Sequence, residues 1–441
     1  MAAAATAKPI NMTRVVMTSL AASSIEWYDF FIYGTAAALV FPKLFFAADL
    51  PPAVAQLAAF STFAVGFIAR PVGGVVFGHF GDKIGRKKAL VTAMLIMGLA
   101  TTAVGLLPSY ATIGVAAPLI LILLRFLQGL AVGGQWGGAA LLAIENAPVQ
   151  RRGFYGSFAQ MGVPAGVITA NLIFTLMGQA IAPAAFADWG WRVPFLLSIL
   201  LVGLSLYVQF KLEDTQEFQA LQKAGEKIEK KATSPILQVI AQNPKAILLC
   251  AGSFVAANGT FYIMITYAVA YTTKTLGVPK GDILWAVMLG SLISAPILPL
   301  TAALSDRFGR RGIFLAGAAL ELLWAVPFFL LLNTGHFWAM VLALAGGLSF
   351  NSVMYGLQAA MMTEMFDTKF RYSGASLGYQ IGAILGGGFA PMIATALFAK
   401  YQSAMAISGY MAALCAVSFV SVLILTETHK KENRTPAKAA A

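Results

Sequence analysis

The sequence predicts an all-α polytopic membrane protein of twelve transmembrane helices arranged as two pseudo-symmetric six-helix bundles, and three observations predict it. Of 441 residues, 59% are hydrophobic and 11% charged, with a mean hydropathy of +0.77, whereas a soluble domain carries about 25% charged residues. Apolar runs of about 20 residues, enough to cross a bilayer, recur from near residue 15 to near residue 426. The halves also echo one another. Gly78-His-Phe-Gly-Asp82-Lys-Ile-Gly85-Arg86-Lys87 returns as Leu304-Ser-Asp306-Arg-Phe-Gly309-Arg310-Arg311, with Asp82 and Asp306 separated by 224 residues, and the pair Glu145 and Arg152 returns 219 residues on as Glu364 and Arg371. Soluble enzymes and nucleic-acid binders are thereby excluded.

Hydropathy and loop breakers predict helices at 15–42, 54–80, 88–107, 113–144, 154–178, 190–210, 244–272, 281–304, 311–332, 337–363, 370–399 and 402–426. With both termini in the cytoplasm, the inner loops and tails hold 23 of the 30 Lys and Arg residues. The outer loops hold five, Lys43, Arg192, Lys274, Lys280 and Lys400, and Arg70 and Arg125 remain inside the membrane. This asymmetry sets orientation and accounts for the net charge of +12 without an anionic macromolecular partner. The expected organisation is an N-terminal six-helix bundle over 1–210, a cytoplasmic linker over 211–243, a C-terminal bundle over 244–426 and a cytoplasmic tail over 427–441. The linker mixes Glu213, Asp214, Glu217, Lys223, Lys227, Glu229, Lys230 and Lys231, as a solvated segment does. Lys8 and Arg14 lead into a long segment carrying Glu26 and Asp29, unlike the uninterrupted core of a cleaved signal, so this segment is expected to stay as the first span. Cys250 and Cys415 lie in apolar runs and are too few for a disulfide framework.

The paired loops resemble the G-x-L-x-D-R-x-G-R-R/K signature of the major facilitator superfamily. More narrowly, Glu26-Trp-Tyr-Asp29-Phe, Ala69-Arg70-Pro71-Val-Gly-Gly, Arg125-Phe-Leu-Gln128-Gly129 and Gly190-Trp-Arg-Val-Pro-Phe resemble the metabolite:proton symporter family. Gly137-Gly-Ala-Ala-Leu-Leu, Arg371-Tyr-Ser-Gly-Ala and Gly378-Tyr379-Gln380 are most similar to its shikimate-transporter-like branch. The resemblance, over about residues 20–425, implies secondary active uptake across a bacterial inner membrane. Family cargoes are shikimate, 2-oxoglutarate, citrate or zwitterionic osmolytes such as proline and betaine, carried with protons. It also implies alternating access around one central site, no cofactor, and the proton gradient as energy source. The chain is expected to work as a monomer. Where the family commonly has Gly-Gly-Glu-Trp in helix four, this chain has Gly133-Gly134-Gln135-Trp136, which leaves no carboxylate there for coupling.

An ionised side chain at the bilayer centre costs at least about 2.5–3.5 kcal/mol, so each one needs a reason. Glu26 and Asp29 are three apart on one helix, where a shared or exchangeable proton is a natural consequence. Arg125, Gln128 and Gln135 make one polar stripe on helix four, next to Trp136. Arg125 cannot shed its charge and must find an anion, either Asp29 or a substrate carboxylate, so protonation of Asp29 is expected to release Arg125 to the substrate. Arg70 precedes Asp82 by 12 residues, about 18 Å along a helix, which puts it inside the span. It is either a second contact for an anion or an arginine snorkelling toward the surface. Asn351, Tyr355 and Gln358 share a face of helix ten, Asn258 and Tyr262 one of helix seven, and Gln160 and Asn171 one of helix five. These, with Tyr379 and Gln380, are candidates for substrate contact or for interhelical hydrogen bonds. Glu321 is placed behind them, because helix nine in the resembled family lies outside the central cavity.

Asp82 with Arg86 and Asp306 with Arg310 are expected to latch the halves together as gating clusters, joined by Glu145, Arg152, Glu364 and Arg371. Gly85 and Gly309 permit a tight turn between each pair. Gly129, Gly133 and Gly137 give helix four a small-residue stripe for close packing. No G-x-x-x-x-G-K-[ST] loop, H-E-x-x-H run or nucleophile–base pattern occurs, and His79, His336 and His429 are isolated, so neither enzyme chemistry nor a metal site is expected. The expected function is proton-coupled uptake of a small carboxylate of shikimate or di- and tricarboxylate type, since two buried arginines favour an anion. The alternatives are a symporter of a zwitterionic osmolyte cradled by Trp27, Tyr28 and Trp136, a facilitator independent of protons, and a transporter-like nutrient sensor.

Overall fold

The computed structural model describes residues 12–84, 86–145, 147–211, 235–366 and 371–427. Within these spans the side chains of 78–90, 134–145, 204–211 and 371–373, among some others, lie outside the description, and with them those of Asp82, Arg86, Gln135, Trp136, Glu145 and Arg371. Most of the predicted linker, 212–234, and the tail from 428 on lie outside it as well.

Among the described residues the chain forms twelve long helical spans. In the first half these are α1 (Met12–Leu39), α2 (Pro52–Ile84), α3 (Arg86–Leu106), α4 (Ala116–Glu145), α5 (Arg152–Ala180) and α6 (Val193–Lys211). In the second they are α7 (Pro244–Lys274), α8 (Lys280–Phe308), α9 (Arg310–Leu332), α10 (Phe337–Glu364), α11 (Arg371–Ala383, Ile384–Gly388 and Ala390–Tyr401) and α12 (Ala404–Ile424). Nine of the described helices are long and apolar enough to cross a bilayer on composition alone, and α3 and α6 contribute the shorter apolar stretches Val91–Leu106 and Gly190–Leu200. Large apolar side chains such as Leu123, Leu200, Leu248 and Leu323 are more than half exposed, as a lipid-facing surface requires.

The predicted helices agree with those formed to within about four residues. The differences have local causes. Gly309 takes φ +99°, a conformation open to glycine, and turns the chain sharply between α8 and α9. Both α7 and α11 contain one π-helical turn, Ile263–Tyr267 and Ile384–Gly388, at which the helix shifts register without breaking.

Packing repeats between the halves. In the first, α1 lies on α5, α2 and α3 on α4, and α3 on α6; in the second, α7 lies on α11, α8 and α9 on α10, and α9 on α12. The halves meet where α5 packs on α8 and α2 on α11, two contacts that exchange under the same pseudo-symmetry. The small-residue stripe of α4 serves α2: a methyl group on Gly129 would strike the backbone of Gly66, and one on Gly133 the carbonyl of Arg70. This close approach draws the two membrane arginines, Arg70 on α2 and Arg125 on α4, to one side of the interface.

Candidate functional site

The face of α1 that carries Trp27, Phe30 and Tyr33 supplies aromatic walls for both arginines. The Arg125 guanidinium lies 4.1 Å from the ring centre of Tyr33, 4.3 Å from Phe30 and 5.0 Å from Phe63. Arg70 lies 4.3 Å from Phe67, 4.7 Å from Phe30 and 6.0 Å from Trp27. Phe30 is therefore held between two cations, each contact contributing roughly 0.5–2 kcal/mol. Gly66 makes the room, since a methyl group there would sit 2.6 Å from Arg125 Nε. Both arginines are about 1% exposed, and five of their nitrogens, Arg70 Nε, Nη1 and Nη2 and Arg125 Nε and Nη2, meet no partner in full hydrogen-bond geometry, although the Tyr262 and Tyr379 hydroxyls stand against Arg70.

Arg70 acts across the interface. The charges and hydroxyls it faces are Glu26 on α1 together with Tyr262 on α7, Tyr355 on α10 and Tyr379 on α11. Beside this cluster opens a narrow cleft, lined by Trp27, Val163 and Pro164 from the first half. Its second-half lining includes Asn258, Phe261, Tyr262, Ser291, Ser294, Asn351 and Tyr355. The structure thus brings Glu26, Arg70, Tyr262, Tyr355 and Tyr379 together and sets Asn258 and Asn351 at the adjoining wall.

The other expected site residues are placed as follows. Asp29 and Arg125 form no ion pair. Both Asp29 oxygens are buried without a hydrogen bond, and the polar group they face is Ser198 of α6. The cause is helical geometry: Asp29 sits about 100° around α1 from Phe30, and its neighbour Tyr28 is tied to the same helix by a 2.8 Å hydrogen bond to the Pro194 carbonyl. Gln128 has both ends occupied, accepting from Arg125 Nη1 at 3.1 Å and donating to Thr101 Oγ1 at 2.8 Å, so it positions Arg125. Asn171 is likewise satisfied by Thr35 and the Val167 carbonyl, and joins α1 to α5. Gln358 donates to the Ser253 carbonyl at 2.9 Å and leaves Oε1 without a partner, while Gln380 and Gln160 Nε2 are buried without hydrogen bonds.

Glu321 reaches from α9 to Thr260 of α7 and to Asn351 of α10, behind the cavity wall. Thr101, Ser198 and Thr260 escaped the sequence reading because an isolated hydroxyl in an apolar helix has no signature beyond its type.

At the end that holds the paired loops, Asp306 bonds across the halves. Its two oxygens accept the backbone N–H groups of Gly153 (3.0 Å) and Phe154 (2.9 Å) at the start of α5, where a helix presents unpaired donors. Arg310 pairs with Asp306 at 2.6 Å and with Glu364 at 3.0 Å, and Glu427 accepts from the backbone N–H groups of Arg310 and Arg311. Arg152 lies in the same first turn of α5. At the opposite end, Lys274 of α7 donates to Gln56 of α2, again across the halves.

Two six-helix halves bonded to one another at both ends, with a cleft and a cluster of buried charged and hydroxyl groups between them, define a membrane carrier of small solutes and not an enzyme. The chain belongs to the sugar (and other) transporter family, whose profile it matches over residues 15–432. It is 41% identical over 426 residues to the inner membrane metabolite transport protein YhjE of Escherichia coli (strain K12), covering 95% of this chain and 96% of that one. To the shikimate transporter of the same organism it is 39% identical over 421 residues, covering 95% of each. To the proline/betaine transporter of that organism it is 33% identical over 440 residues, 97% of this chain and 86% of the other. Among solved structures, that of the D-xylose-proton symporter superposes with a TM-score of 0.73 at 16% identity, covering 96% of this chain and 99% of that one, and has the same fold.

Proposed function

We propose that the protein takes up a small organic acid, of shikimate or di- and tricarboxylate type, together with a proton across a bacterial inner membrane. Both termini then face the cytoplasm, a single central site opens alternately to either side, and the unit is one chain. The observation that carries this reading is the set of five guanidinium nitrogens on Arg70 and Arg125 that are buried without a partner in full hydrogen-bond geometry. Buried cationic donors left open among aromatic rings, beside the cavity between the halves, fit a carboxylate, which can accept two parallel bonds from one guanidinium.

Coupling follows from Glu26, the acid that Arg70 faces. A cargo carboxylate that engages Arg70 displaces Glu26 as its counter-charge, and Glu26 then takes a proton, so cargo and proton favour one another's binding. Asp29, buried and without a bonding partner, is the second carrier of the proton in this half. A proton carried with a monocarboxylate moves no net charge, so the pH difference drives accumulation at about 1.4 kcal/mol per unit, and the membrane potential, about 2.3 kcal/mol per charge per 100 mV, adds to it only where protons outnumber the cargo's negative charges.

A zwitterionic cargo is the second reading, favoured by Trp27 at the cavity wall and by the name of the 33% identical relative. Against it, the rings of Phe30 and Phe67 are already covered by guanidinium groups. The test is a ligand-stabilisation screen of purified protein with shikimate, protocatechuate-like acids, 2-oxoglutarate, citrate and betaine, followed by pH-jump uptake of the hit. A carboxylate hit that Arg125→Ala abolishes is expected. Stabilisation by betaine alone overturns the anion, undiminished accumulation after collapse of the pH gradient overturns symport, and absence of counterflow with every compound points to a sensor.

A further inference from the structure

We infer that Glu321 is a further proton-binding site, in the second half of the protein, coupled to the cargo through Asn351. Resting on the reading of the chain as a proton-coupled carrier, this adds a site outside the arginine chamber. Glu321 is 1% exposed, and the groups around it come from three other helices. Thr260 of α7 and Asn351 of α10 bond to Oε1, Cys415 of α12 is the titratable group beside it, and Oε2 has no partner. Among the described residues the groups that act on it include no cation.

The hydrogen bonds around Thr260 can run in two directions. Its hydroxyl has one proton and two acceptors in reach, the Ala256 carbonyl at 2.8 Å and Glu321 Oε1. Thr260 Oγ1 itself accepts from Asn351 Nδ2 at 3.2 Å. With Glu321 ionised, Thr260 gives its proton to the carboxylate, and Asn351 Nδ2, 3.4 Å from Oε1, adds a second donor. With Glu321 protonated, the acid donates to Thr260, Thr260 donates to Ala256, and Asn351 is held by the Ala257 carbonyl at 3.0 Å. Every oxygen except Oε2 is satisfied in both arrangements, and only protons change place. A bare Oε2 is far less costly on a neutral acid than on an anion, so this conformation holds the proton.

Asn351 also lines the cavity between the halves. A cargo oxygen that accepts from its Nδ2 withdraws a donor that the carboxylate needs and the neutral acid does not. Cargo therefore promotes proton uptake at Glu321, and the proton promotes cargo binding by the same factor. The repeat supports a role built on this place. Glu321 and Asn351 follow Thr101 and Gln128 by 220 and 223 residues, the spacing of the echoed loops. In the first half that place holds the Gln128 to Thr101 hydrogen bond, which steadies Arg125; the second half has an acid where the first has a hydroxyl.

The test uses purified protein and proteoliposomes with Glu321→Gln, Glu321→Asp and Thr260→Val, the last removing the relay while keeping the shape. Infrared spectra of the protein without cargo should show the C=O stretch of a protonated carboxyl that Glu321→Gln removes and Thr260→Val moves to a different titration range. In proteoliposomes, Glu321→Gln should keep counterflow of the screened hit but move fewer protons per cargo, and Glu321→Asp should restore part of that ratio. An unchanged carboxyl band or an unchanged ratio overturns the inference. A wild-type protein that moves cargo without protons overturns the underlying reading instead, and the infrared result then still reports whether Glu321 holds a proton.

Discussion

Gln128 holds Arg125 in place: its Oε1 accepts from Arg125 Nη1 at 3.1 Å while its Nε2 donates to Thr101 on the next helix at 2.8 Å. A neutral amide orients the cation without neutralising it, which keeps the charge for a ligand. Gln128→Leu leaves a buried guanidinium nitrogen unpaired at a cost of about 1–3 kcal/mol and should raise KM roughly tenfold. Gln128→Glu supplies a permanent competitor for the cargo carboxylate and should abolish uptake while the protein still folds. Uptake kinetics together with thermal melting of both variants check this; equal KM for wild type and Gln128→Glu contradicts it.

Two glycines on α2 should separate site damage from fold damage. A methyl group at Gly66 meets the Arg125 side chain at 2.6 Å, whereas one at Gly73 would run into the Leu130 backbone carbonyl of α4. A side chain can be pushed aside, but a helix backbone cannot move without its helix. Gly66→Ala should therefore cost about 1–3 kcal/mol of stability at most and weaken ligand binding disproportionately. Gly73→Ala should lower the melting temperature and yield with ligand affinity in the surviving fraction unchanged. Melting temperature against ligand-induced stabilisation distinguishes the two.

How much of this was legible in the sequence follows the length scale of the signal. The spans and the repeat were, because about twenty apolar residues and duplicated patterns are carried by many positions at once. That Arg70 and Arg125 lie within spans was legible from their positions in apolar runs, but whether Arg70 turned inward or snorkelled toward the surface was not. Their partners were not. Pairing depends on which way residues one position apart turn, and Asp29 faces Ser198 while the adjacent Phe30 lies beneath Arg125. Glu321 was set aside on the location of its helix, whereas its side chain reaches past that helix to Thr260 and Asn351. The backbone donors of Gly153 and Phe154 carry no side-chain signature.

Asp306 bridges the halves at the end of the paired loops by accepting two N–H groups from the start of α5. Charge-assisted bonds of this kind contribute about 1.5–3 kcal/mol. Asp306→Asn keeps the size but turns one acceptor into a donor that faces an N–H group. The balance at that end should move toward open by about tenfold to a hundredfold. A cysteine introduced at the neighbouring interface should react correspondingly faster with a membrane-impermeant thiol reagent in inside-out vesicles, and an unchanged rate rules the lock out.

At the other end, Lys274 reaches from α7 to Gln56 on α2, and Gln56 Nε2 is fixed by the Ala37 carbonyl at 3.0 Å. The amide is thus oriented by α1 to present its oxygen to the lysine. Lys274→Met keeps the apolar stem, removes the charged donor and leaves a buried acceptor unfilled, which should loosen this end by about tenfold for a bond to a charged group. Alternating access demands that the two ends respond in opposite senses: Lys274→Met should raise thiol labelling on the face away from the paired loops and lower it on theirs, the reverse of Asp306→Asn. The double variant should return toward the wild-type distribution, because each substitution removes a latch from one side of the same two-state balance. Labelling that rises on both faces in the double variant would instead mean that the latches hold the bundle together without exchanging, and the carrier would leak.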